Sequence, residues 1–154
     1  MAIRERLVGT WSLETYTEIP IDGSPSVHPF GEAPEGFIMY TPDGFMSVQL
    51  SKPGRRPFSS ADWFHGTDAE YRSQGSGYIA YCGPFRVDES REEVIHVIAV
   101  SLFPNWAGQA QPRTVKFEGD YLILGNTSRY NSGGKVVNAE IRWKKVQPLD
   151  AKEK

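Results

Sequence analysis

The chain has 154 residues, 39% hydrophobic and 23% charged, with a formal net charge of −2, which suits one ordinary globular core that buries roughly 70% of the unfolded surface. Its lysines and arginines are scattered along the chain, so there is no basic field to draw in nucleic acid. No apolar run approaches the roughly 18 residues of a membrane span, and the single cysteine, Cys82, precludes an internal disulfide.

Taken in chain order, Met1 to Arg6 lead without a signal-peptide core into Leu7-Val8-Gly9-Thr10-Trp11, and a cytoplasmic location is expected. From Trp11 to Ile19, one parity carries Trp11, Leu13, Thr15, Thr17 and Ile19, the other Ser12, Glu14, Tyr16 and Glu18. A period of two marks a half-buried strand and assigns the first set inward. Gly36 to Tyr40 and Phe45 to Leu50 flank Thr41-Pro42-Asp43-Gly44, whose proline and glycine suit the turn of a hairpin. Ser51 to Ser76 breaks the pattern, and Thr67 with Glu70 as a capping box predicts a short helix there. Such an insertion is suited to covering one mouth of a barrel. Strands follow over Tyr78 to Val87 and Val94 to Leu102, joined by the charged Asp88 to Glu93, and then over Thr114 to Glu118 and Tyr121 to Leu124. After Ser132-Gly133-Gly134, the last strand alternates Val137, Ala139, Ile141 and Trp143 with Val136, Asn138, Glu140, Arg142 and Lys144. Residues 1–147 read as one domain and 148–154 as a flexible tail.

About eight short antiparallel strands in one small domain must dispose of their edges, and closing the sheet does so. The expected fold is all-β, a closed antiparallel barrel of about eight or more strands with one short helix in an insertion. Eight strands leave an interior wide enough for side chains or one small ligand. An open sandwich is the competing arrangement.

Particular motifs narrow this further. Gly9-Thr10-Trp11 has the Gly-x-Trp form of a first lipocalin strand. It is followed by Pro29-Phe30-Gly31, by Tyr40-Thr41-Pro42-Asp43-Gly44-Phe45-Met46-Ser47-Val48-Gln49-Leu50, by Ser101-Leu102-Phe103-Pro104-Asn105-Trp106-Ala107-Gly108 and by Gln111-Pro112-Arg113. In this order they closely resemble the small lipocalin-like domain family of bacteria and fungi, from about Leu7 to Lys145. The resemblance implies a calycin-type barrel with a tryptophan plugging its closed end, and a place in small-molecule, secondary metabolism. Disulfide cysteines and the Thr-Asp-Tyr of the second lipocalin motif are missing, so transport between cells is not implied.

Candidate chemistry is sparse. His28, His65 and His96 lie far apart and no cysteine cluster exists, so no metal site is expected. Without a glycine-rich phosphate loop, no nucleotide cofactor is expected either. His96 lies in a segment apolar on both parities. Burial there would keep it neutral, the state a general base needs, and it is the catalytic candidate against the plainer reading of a core histidine. Arg113 shares its parity with Val115 and Phe117. That turns inward a charge that must find a partner, either an acidic ligand group or water at a barrel mouth. Tyr40, Tyr81, Phe103 and Trp106 are candidates for the ligand wall, and Ser47 and Gln49, on the parity of Phe45, for hydrogen bonds to a ligand carbonyl. Trp11 and Trp143 are assigned to structure.

Two functions fit. One is binding of a small hydrophobic metabolite, with or without an anionic group, in the barrel interior. The other is a cofactor-independent isomerase, cyclase or dehydratase acting there on a polyketide- or terpenoid-like substrate. Both cavities are built from the same side chains, so the sequence leaves the choice open.

Overall fold

The alternation of apolar and polar residues is realised as ten antiparallel strands in the computed structural model, which describes residues 1–149. Most of the expected tail, residues 150–154, therefore lies outside the described residues. The strands are β1 (Gly9–Pro20), β2 (Glu35–Tyr40), β3 (Phe45–Ser51), β4 (Tyr78–Asp88), β5 (Glu93–Val97), β6 (Val100–Ser101), β7 (Ala110–Glu118), β8 (Tyr121–Asn126), β9 (Tyr130–Ser132) and β10 (Lys135–Lys145). Two short helices, α1 (Ile3–Leu7) and α2 (Asp68–Ser76), accompany them. The pairing runs β1-β2-β3-β4-β5-β7-β8-β10 and returns from β10 to β1, so eight strands close a barrel, while β6 adds to β4 and β9 to β10. Closure leaves no long edge to cover. Among the described residues no helix is long and apolar enough to cross a membrane.

The expected single strand over Val94 to Leu102 is broken after Val97. There Ala99 N–H bonds to the Cys82 carbonyl and Ile98 N–H to that of Gln109. Gly83 permits this close crossing, because a Cβ at that position would lie 2.0 Å from the Val97 carbonyl oxygen.

One barrel end is floored and the other open. Short turns at 41–44, 89–92 and 119–120 share the floor with α1, whereas the loops at 21–34, 52–77, 98–109 and 127–134 emerge at the mouth. Leu7, the last residue of α1, is fully buried, and Trp11 Nε1–H donates to its carbonyl at 2.8 Å. Three cations close over aromatic faces: Arg4 on Phe85 at 4.9 Å, Arg6 on Phe117 at 3.9 Å and Lys145 on Trp11 at 4.2 Å.

Strand β1 departs from its expected parity. Leu13 pairs with Trp143 and Thr15 with Arg142, so Glu14 has no counterpart and forms a bulge. One extra residue exchanges the two faces beyond it. Trp11 and Leu13 point inward as expected, but past the bulge the buried residues are Tyr16, Glu18 and Pro20, and Ile19 is exposed. In β3 the inward set is Met46, Val48 and Leu50, opposite the buried Ile38 and Tyr40 of β2. Helix α2 forms with its capping box, Thr67 Oγ1 accepting from Glu70 N–H and Glu70 Oε1 from Thr67 N–H. It buries no residue, and nothing from 52–77 lines the cavity described next.

Candidate ligand-binding cavity

The inward residues above the floor enclose a cavity of about 590 Å³. Ile38, Val48, Leu50, Leu124 and Ile141 supply its aliphatic wall. An aromatic ladder climbs one side to the mouth, with Tyr81 edge-on to Trp106 at 5.9 Å and Trp106 edge-on to Phe103 at 5.2 Å. Phe103 and Trp106 reach the rim because a single 3-10 turn, Pro104–Trp106, folds the 98–109 loop over it.

Asn126, Thr127, Ser128, Arg129, Asn131 and Ser132 give the cavity a polar rim, and three further polar groupings interrupt the wall. The first is a buried chain in which Tyr40 Oη lies 2.8 Å from His96 Nε2, and His96 Nδ1 lies 2.9 Å from Tyr81 Oη. His96 is 1% exposed. Burial above all, and then the nearby Arg113 charge, push its pKa down to about 3, so the imidazole is neutral. Burial also holds the Tyr40 hydroxyl well above the ordinary phenol range. Tyr81 and His96 line the cavity, with Tyr40 behind them.

The second grouping is centred on Glu18, a carboxylate only 3% exposed. Tyr16 donates to its Oε1 at 2.7 Å and Tyr130, from β9, donates to the same oxygen at 3.0 Å. Burial raises both phenols, that of Tyr130 to about 12, so both remain donors. Phe30 packs edge-on against Tyr16 at 5.6 Å and secures this corner. The third is Arg113, which donates to Gln111 Oε1 at 2.8 Å. Among the described residues it forms no ion pair.

Of the residues singled out from the sequence, His96, Arg113, Tyr81, Phe103 and Trp106 come together around this one cavity. Tyr40 reaches it only through His96. Ser47 and Gln49 do not reach it: they lie on the outer face of β3, in a shallow groove with Phe37, Met39 and Tyr78, where Gln49 Oε1 accepts from the Tyr78 hydroxyl. Their parity was misassigned because Phe45, half exposed at the start of the strand, looks like a core residue. The sequence reading missed Tyr16, Glu18 and Tyr130, the first two because of the bulge and the third because its stretch reads as a turn. Trp143 was assigned to structure, yet it also lines the cavity, and its buried Nε1–H has no hydrogen-bond partner among the described residues.

Comparison with known proteins agrees with this architecture. A family model described as a lipocalin-like domain matches residues 8–146. A 4'-hydroxy-3'-methoxypropiophenone carrier protein from Aspergillus oryzae is 32% identical over 110 residues, covering 68% of this chain and 99% of that protein.

Proposed function

The chain belongs to the lipocalin-like domain family, and from that membership and its cavity we propose that it binds one small hydrophobic, oxygenated metabolite of secondary metabolism inside the barrel. The observation that carries this reading is the cavity of about 590 Å³, with an apolar and aromatic inner wall, separate polar groups set into it and a polar rim. That is the usual make-up of a small-molecule site. The related fungal protein, a carrier of an aryl ketone by name, supports aryl ketones as the first ligands to try. The protein acts on this reading as a cytoplasmic carrier, and its ligand leaves unchanged.

The enzyme alternative needs a base that reaches the substrate. His96 offers no free nitrogen, since both are taken by tyrosines, which favours binding over catalysis. The test is displacement of an environment-sensitive apolar dye by 4'-hydroxy-3'-methoxypropiophenone, followed by mass analysis of the recovered ketone. Binding with unchanged ketone is expected. Folded protein that takes up no apolar probe overturns the binding reading, and conversion of the ketone favours the enzyme.

A further inference from the structure

The Tyr40–His96–Tyr81 chain has a direction. Tyr40 is 1% exposed, and His96 Nε2 is the one hydrogen-bond partner of its hydroxyl among the described residues. A hydroxyl proton at that depth requires an acceptor, so Tyr40 donates and Nε2 accepts. A neutral imidazole that accepts at Nε2 carries its proton on Nδ1, and Nδ1–H then donates to Tyr81 Oη at 2.9 Å. The reverse order would leave the Tyr40 proton buried with no acceptor. With His96 donating to it, Tyr81 keeps a proton of its own that no protein group among the described residues accepts, on a side chain that lines the cavity.

We propose that Tyr81 is an obligate hydrogen-bond donor to a ligand oxygen, its proton turned into the cavity by Tyr40 acting through His96, so that the site selects a ketone or similar acceptor over the same molecule without that oxygen. Trp143 points the same way independently. Its indole N–H can only donate, and this buried, unpartnered group belongs to a residue that lines the same cavity. Strands β4 and β10 are four steps apart in either direction around the eight-strand ring, so the two residues stand on opposite walls. His96 is a positioning residue in this scheme.

This inference rests on the binding reading, and the test separates the two. Nitrogen NMR of protein labelled at histidine should show His96 with Nδ1 protonated and Nε2 bare. Propiophenone and propylbenzene, which differ only in the carbonyl, are then compared as competitors of the apolar dye. In Tyr81→Phe the ketone-to-hydrocarbon affinity ratio should fall roughly tenfold, as expected for one lost hydrogen bond. In Tyr40→Phe, which keeps the Tyr81 hydroxyl but frees the tautomer, it should fall by less, and the Nδ1–H population should drop. An Nε2–H tautomer in the wild type, or a ratio unmoved by Tyr81→Phe while both probes bind, overturns the proposal and leaves the binding reading standing. Failure of both probes to displace the dye overturns both.

Discussion

Arg113 illustrates what a single residue contributes here. A guanidinium cannot shed its charge, and this one has a neutral partner in Gln111 and no carboxylate in ion-pair range among the described residues. A ligand anion would complete it. On that hypothesis Arg113→Ala weakens binding of an acidic aryl ligand by about 2 kcal/mol, and Arg113→Lys restores only part, having lost the planar fork. The neutral methyl ester of the same ligand should hardly respond. Titration of both ligands by calorimetry checks this, and an equal loss for acid and ester would return Arg113 to the scaffold. Its inward position was legible in the sequence because Val115 and Phe117 share its parity. That of Glu18 was not, since nothing in the run from Trp11 to Ile19 signals that Glu14 lacks a partner on β10. Such a bulge is a property of two strands together and is invisible in either alone.

At the level of elements, reading by parity succeeded where strands are regular and faltered at discontinuities. The last strand needed no correction, because Val137, Ala139 and Trp143 are buried and Ile141 lines the cavity, as their alternation implies. The α2 capping box was equally readable, being a local interaction four residues long. Its failure to add to the cavity lining was not, because docking is a tertiary matter. The floor is the element whose loss should be felt most. Trp11 joins β1 to α1 through its bond to Leu7 and sits beneath Lys145 and beside Phe117, ring centroids 6.1 Å apart. Trp11→Ala is predicted to cost roughly 3 to 5 kcal/mol by opening a cavity. Folded mutant should bind the apolar dye with little change, since the ligand cavity lies above the floor and Trp11 is not in its lining. Denaturant melts alongside dye titration test both halves, and a mutant of wild-type stability would remove Trp11 from the core.

The whole molecule should carry a pH signature from His96. Its pKa falls from 6.5 in the unfolded chain to about 3 in the barrel, with Tyr40, Tyr81 and Arg113 facing the ring and no carboxylate bonded to it. Below pH 6.5 the unfolded chain binds a proton that the folded protein refuses, so stability is full above that pH and is lost as pH falls. The loss approaches about 1.4 kcal/mol per pH unit. Between pH 6.5 and 4.5 this histidine should dominate, because the carboxylates held below their usual range by hydrogen bonds, Asp22, Glu70, Asp88 and Glu118, matter only at lower pH. Chemical denaturation across this range should show the slope in the wild type and a flatter profile in His96→Gln. The same slope in both would assign the effect elsewhere.

The pairing of β1 with β10 sets a limit on how quickly this protein can come into being. Every other seam of the barrel joins strands near each other in the chain, but this one matches Trp11 with Lys145 and Pro20 with Val137. Closing so long a loop is entropically slow, and non-local strand pairing is a main reason that β proteins fold slowly. Until β10 has been synthesised, β1 waits with one edge bare, able to recruit a strand from another nascent chain. Its final turns of sequence guard against this in part, since Glu14 and Glu18 put negative charge on a strand that would otherwise template aggregation. The same Glu18 carboxylate that ends up buried between two tyrosines is, before closure, a charge on an unpaired strand.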